Sequence, residues 1–370
     1  MTTAGAPQPS TPGGPAPTGT SAAPERVRIP NPAAPPAPTT RTARIPSPAR
    51  PADPPPTSYL VVSGHALVVG KQPDGDSVRF RPQSPDILRE LANGDRIEPG
   101  TDGSVQLRLD GIDAPELHYA GHGQPFADRS RDVFLRLLGF TEVAYAANHM
   151  TVTAATPATI PAVIVARMAE AHGRPVAYLF TGNAADELRA HDGKRIDVDA
   201  ARLAPSANLQ LLASGDVYPL LYTSTAPDLR AAVIAAASQA RGAKLGVYAA
   251  DATARFSVVD HQSVGPGGDL IFPKIFRRVT DWLRETKDET KREAQSANGG
   301  ENQNRIGDTN SRASAARTKL PAWLRADPDR NDRVHVADAK RTRSLHTLLK
   351  QSGNTVTMEV DPLSLVFVER

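Results

Sequence analysis

The sequence predicts an α+β fold in the middle of a 370-residue chain. Short β-branched or alternating runs, 59–69 and 104–110 among them, read as strands, and runs with apolar residues at helical spacing, such as 124–138, read as helices. A third observation sets the limits: 17 of the 34 prolines fall in residues 1–56. A stretch of Pro, Ala, Thr, Ser and Gly has too little apolar surface to offset the entropy of ordering it. Residues 1–57 are therefore expected to be a disordered tail.

The elements follow in order. The run YLVVSGHALVV (59–69) makes a strand, punctuated by the turn Pro73-Asp74-Gly75. DSVRFR (76–81) and SVQLRLD (104–110) alternate as two more strands, around a polar, turn-rich insertion at 82–103. In 124–138 the apolar residues at 126, 133, 134, 137 and 138 mark one helical face. RPVAYLF (174–180) is a further strand, followed by a low-complexity insertion at 183–204. NLQLLASG (208–215) is a short helix closed by Gly215, and 228–245 is an Ala-rich helix with Pro227 in its first turn.

Beyond 249 the chain loosens. Residues 273–286 recover helical spacing, and Phe276, Val279, Trp282 and Leu283 are expected to pack while the arginines face solvent. A nucleic-acid contact by those arginines is the alternative. Residues 287–318 read as a linker, and 355–368 as two short strands around Asp361-Pro362. The domains expected are a tail (1–57), a folded domain (58–253), a helix with linker (254–319) and a small α+β accessory segment (320–370).

Composition excludes several classes. There is no run of about 18 apolar residues to cross a membrane, and no basic start with an apolar stretch to act as a secretory signal, so a cytoplasmic location is expected. Zero cysteines rule out disulfide scaffolds, zinc-thiolate sites and cysteine nucleophiles. The net charge of +3 is unevenly spread: residues 58–253 hold 18 basic against 22 acidic side chains, whereas 274–343 hold 17 against 11. Basic flanks around an acidic middle are compatible with a polyanionic partner, and equally with solvated linkers.

The segment RLDGIDAPE (108–116) carries the chemistry. Carboxylates at a strand end suit a hard cation, and a nearby arginine suits phosphate through its forked donors. The stretches DGDSVRF (74–80), RLDGIDAPEL (108–117), HGRPVAYLF (172–180) and NLQLLASG (208–215), then AKLGVY (243–248), together resemble the thermonuclease, or staphylococcal-nuclease-like, family over about 58–253. That resemblance implies a β-barrel core, a five-stranded OB-fold with packed helices, and a calcium-dependent nuclease acting on single-stranded DNA or RNA. By motif, Asp76 and Asp113 match the calcium carboxylates and Ala114 the position that lends a main-chain carbonyl. Glu116 matches the residue that activates water, and Arg108 and Arg174 match the two phosphate-binding arginines. Tyr218 and Tyr222 are candidate substrate contacts, with burial in the barrel as the other possibility.

Departures from the family are Ala114, where Thr is usual, and Ala171, where an acid is often found before the Gly-Arg turn. The alternatives are a noncatalytic OB module that binds nucleic acid or a protein, a zinc site from Glu116, His118 and His122, and a Ser-His-Asp hydrolase. Gly121 and Gly123 disfavour the helix that such a zinc site needs, and no G-x-S-x-G is present for the hydrolase.

Overall fold

A computed structural model describes residues 58–297, 318–336 and 341–369. The tail expected at 1–57 and the linker beyond 297 lie outside the described residues. The first part of the chain folds as β1 (Ser58–Leu67), β2 (Arg79–Pro82), β3 (Val105–Gln106), β4 (Arg108–Leu109), β5 (Ile112–Asp113), α1 (Ala127–Leu138), β6 (Glu142–Tyr145), β7 (Val152–Thr156), β8 (Thr159–Ala169) and β9 (Pro175–Thr181).

The main sheet runs β3-β2-β1-β8-β9-β4 and nearly closes on itself. Its ends meet in one stretch of chain, since β3 pairs antiparallel with β2 while β4 pairs parallel with β9. Between them, the Leu107 and Leu109 N–H groups donate to the Val78 and Asp76 carbonyls, both at 2.9 Å. The result is a barrel-like sheet. Tyr59 to Gly64 of β1 are all buried, which is why that strand reads as a continuous apolar run. Three strands that the sequence pattern did not announce lie between 142 and 169: the β6–β7 hairpin, and β8, which joins β1 to β9.

Next come α2 (Gly182–Arg189), β10 (Arg195–Asp197), α3 (Ala200–Leu203), α4 (Ala207–Ser214), β11 (Tyr218–Pro219), β12 (Leu221–Tyr222) and α5 (Pro227–Gly242). The low-complexity insertion expected at 183–204 holds two helices and β10, which pairs with β1. Likewise 82–103 forms two 3-10 turns whose Leu88, Leu91 and Ile97 are buried. Both insertions bury apolar side chains and so belong to the core. Helix α4 is delimited as the sequence predicts: the Ser206 hydroxyl accepts from the Leu209 N–H, and Gly215 closes it at φ 74°.

The remainder comprises β13 (Arg255–Ser257), α6 (Pro273–Ala297), α7 (Leu320–Ala326), β14 (Arg333–Val336), β15 (Arg343–Ser344), β16 (Leu349–Ser352), β17 (Thr355–Met358) and β18 (Leu365–Phe367). Residues 287–297, expected as linker, continue α6. One pairing ties this part to what precedes it, β18 lying parallel to β12, and within it β17 runs antiparallel to β13. One hydrophobic cluster extends from Tyr59 to Phe367. No helix among the described residues is long and apolar enough to cross a membrane.

Candidate functional site

The site is built where three strand ends meet. Asp74, Gly75 and Asp76 form the turn before β2, and Gly75 is required there by close approach. A Cβ on it would lie 2.6 Å from the Ala114 Cβ and 2.7 Å from the Ser130 hydroxyl oxygen. The turn can therefore rest directly on the loop that follows β5. That loop is fixed in turn by a short antiparallel pairing, Asp113 opposite Tyr218 and Ile112 opposite Pro219.

Arg108 projects between the two. Its Nη1 donates to Asp76 Oδ2 at 2.8 Å, and its Nη2 donates to Asp113 Oδ1 at 3.0 Å and to the Ile112 carbonyl at 3.5 Å. The Ala114 N–H also donates to Asp76 Oδ2, at 3.4 Å. Asp76, predicted from one motif, is thus joined to Arg108 and Ala114, predicted from another, and Arg108 links it to Asp113. Glu116 stands beside them. Its N–H donates to Gln124 Oε1 at 3.1 Å, while Gln124 Nε2 donates to the Ile271 carbonyl at 2.7 Å, binding this loop to the chain entering α6.

Helix α6 supplies a residue that the sequence did not single out. Arg277 Nη2 donates to Asp113 Oδ2 at 2.8 Å, and its Nη1 donates to Asp113 Oδ1 at 3.2 Å and to Glu116 Oε1. Phe276, Val279, Trp282 and Leu283 pack as expected, each at most 2 % exposed. The expectation that the neighbouring arginines face solvent is corrected, because Arg277 takes the carboxylates of the site and Arg278 pairs with Asp332 at 2.9 Å. Apolar periodicity locates the buried stripe of a helix, but it does not tell which of the flanking charges meets another wall of protein.

The charges explain the titration. Burial pushes the Asp113 carboxyl up, yet the guanidiniums of Arg277 and Arg108 hold it below its ordinary value. Glu116 is raised, by burial first, against the pull of Arg277. Asp74 is pushed up to about 8 by burial and by the carboxylates of Asp76 and Glu116. Asp74 is therefore largely protonated at neutral pH, and the carboxyl groups of Asp76, Asp113 and Glu116 face two guanidiniums.

The other expected residues lie elsewhere or play other parts. Arg174, in the turn between β8 and β9, donates from Nε to Glu170 Oε1 at 2.8 Å and makes no ion pair with the Asp113 cluster among the described residues. The acid sought at position 171 is therefore found at 170. Tyr218 is 1 % exposed and its hydroxyl donates to Asp251 Oδ1 at 3.0 Å, so its ring is a core ring without a face for substrate. Tyr222 is half-buried, with the Lys274 ammonium 5.8 Å from its ring centroid, and burial raises its phenol while Arg108 pulls it down. The zinc alternative lacks its helix: residues 119–122 form a tight turn closed by two backbone hydrogen bonds between Tyr119 and His122, and the His122 ring stacks on His261 at 3.8 Å.

Compared with known proteins, the chain matches no family model and no curated protein.

Proposed function

We propose that the chain is a calcium-dependent phosphodiesterase that hydrolyses DNA or RNA with little sequence preference, on an OB-type five-stranded barrel. One observation carries this reading: Asp76, from 74–80, and Arg108, Asp113 and Glu116, from 108–116, which the resemblance assigns to one active site, converge in one partly buried cluster.

The chemistry asked of these groups is coherent. A phosphodiester repels an attacking hydroxide, so hydrolysis needs cationic groups aimed at the phosphoryl oxygens. Arg108 supplies one guanidinium at the site, and Arg174 a second once it leaves Glu170. Glu116, raised by its burial, accepts a proton from the attacking water. The donor set suits a hard cation, being carboxylates together with the main-chain carbonyl that the resemblance assigns to Ala114, and the negative charge of Asp76 and Glu116 that raises Asp74 favours one. Calcium held by Asp76, Asp113 and the Ala114 carbonyl would polarise the phosphoryl group.

A second reading, a noncatalytic OB module that binds nucleic acid or a protein, is favoured by one specific fact. Both oxygens of Asp113 and one of Glu116 are already engaged by Arg277. The two readings separate in an assay of denatured DNA and RNA with purified protein, in calcium and then in chelator. Cleavage that requires calcium and drops at least about tenfold in Glu116→Gln supports the enzyme. Folded protein that cleaves neither substrate in calcium refutes it.

A further inference from the structure

We propose that Arg277, which also pairs with Glu116, is a tethered counter-cation that competes with a divalent metal ion for the carboxylate of Asp113. This inference rests on the reading above that Asp113 belongs to a metal site.

The geometry supports mutual exclusion. Arg277 Nη1 and Nη2 donate to both oxygens of Asp113, and Nη1 also donates to Glu116 Oε1. Asp113 Oδ1 receives Arg108 as well. A metal ion seated between the two Asp113 oxygens would need the lone pairs that the guanidinium fork takes, so the two cations compete for that face. Asp113 is 0 % exposed, so it cannot turn to present a different face. Either cation satisfies the buried carboxylate, and an unpaired charge at that depth is expensive.

The helix itself does not need to move. Ile275, Phe276 and Val279 are fully buried, the Arg278 guanidinium holds Asp332, and the Tyr119 hydroxyl donates to Asp281 Oδ2 at 2.9 Å. Anchored on several sides, α6 keeps the Arg277 backbone beside the site at a high and constant local concentration. The exchange is then a rotation of the Arg277 side chain, which is 20 % exposed and has an opening to leave by. Lys274 and Arg278, flanking it on α6, pair with Asp332 and do not reach the Asp113 carboxylate. On α6 the competitor is therefore one residue, while Arg108 from β4 stays with Asp76 and Asp113 in every variant tested.

Calcium titration of the full chain by calorimetry tests this, with wild type, Arg277→Gln, Arg277→Lys and Arg278→Gln. Arg277→Gln is expected to bind calcium at least tenfold more tightly than wild type. Arg277→Lys, which keeps the charge without the fork, falls between them, and Arg278→Gln matches wild type. Equal, weaker or absent binding in folded Arg277→Gln overturns the proposal, as does an equal gain in Arg278→Gln, which would mark a general charge effect. Should Arg277→Gln fail to fold, the Arg277 Nε–Hε resonance of wild type is followed instead. It is expected to shift as calcium saturates, and a resonance that stays in place with calcium bound overturns the proposal. Tight calcium binding by Arg277→Gln without cleavage of nucleic acid upholds this inference and refutes the enzyme.

Discussion

Lys274 shows how much one buried charge can govern. Burial pulls its ammonium down to about 8 from 10.5, against the upward pull of the Asp332 carboxylate 3.4 Å away. Its cationic head also lies 4.6 Å from the Phe367 ring centroid. Because the folded pKa is the lower one, the unfolded chain holds more protons between about 8 and about 10.5, and stability rises with pH across that window. The measured slope between pH 8 and 10 should be shallower in Lys274→Met, by up to about 1.4 kcal/mol per pH unit; identical slopes would show that Lys274 does not titrate there. Residues of this kind are the least legible in sequence. Asp76, Arg108, Asp113 and Glu116 were found because a motif of fixed spacing names them. Lys274, Arg277 and Arg278 are three similar cations on one helix, and only the surfaces facing them give each its partner.

Among the elements, α4 does the most with one side chain. The Asn208 carbonyl oxygen accepts from the Leu179 N–H at 3.0 Å, while its amide donates to the carbonyls of Asp110 at 2.9 Å and Ala177 at 3.1 Å. This fully buried amide therefore fastens a helix to β9 and to the chain just after β4. Asn208→Ala should cost about 3 kcal/mol, since several buried backbone groups lose their partner together, and urea unfolding would measure it. A loss under about 0.5 kcal/mol would mean that water replaces the amide. Helix α1 is legible from its apolar face, and α4 and α5 from the glycine and proline that punctuate them. Strand β8 was not: Ala162 to Ala166 are completely buried, so no alternation marks it, and a short apolar run does not distinguish strand from helix.

At the scale of the molecule, the nuclease-like motifs end near residue 253, but the packing does not. Phe272 meets Tyr218 edge-on at 5.7 Å and lies over Phe367 at 6.3 Å, and Tyr222 tilts against the same Phe367. Rings from 218–222 therefore depend on rings from 272 and 367 for their burial. A chain ending at residue 253 is expected to melt at least about 10 °C lower than the full chain, because the 218–222 rings would be left bare. An unchanged melting temperature would show that 58–253 stands alone. The barrel-like sheet could be anticipated from motifs that lie near one another in sequence. The two strands expected at 355–368 are present as β17 and β18, but their partners could not be read, since contacts that no local pattern encodes fix them.

The pairing of β12 with β18 has a consequence for biosynthesis. The Thr223 hydroxyl at the end of β12 donates to Glu369 Oε2 at 2.5 Å, across 146 residues of chain. A ribosome adding about 5–20 residues per second needs roughly 10 s or more to deliver that partner. For that interval Tyr222 and its neighbours lack their cover, and for the first part of it Asp113 and Glu116 await Arg277. The barrel end of a nascent chain is therefore exposed until residue 369 has left the ribosome, and that is the stage at which a chaperone would be needed.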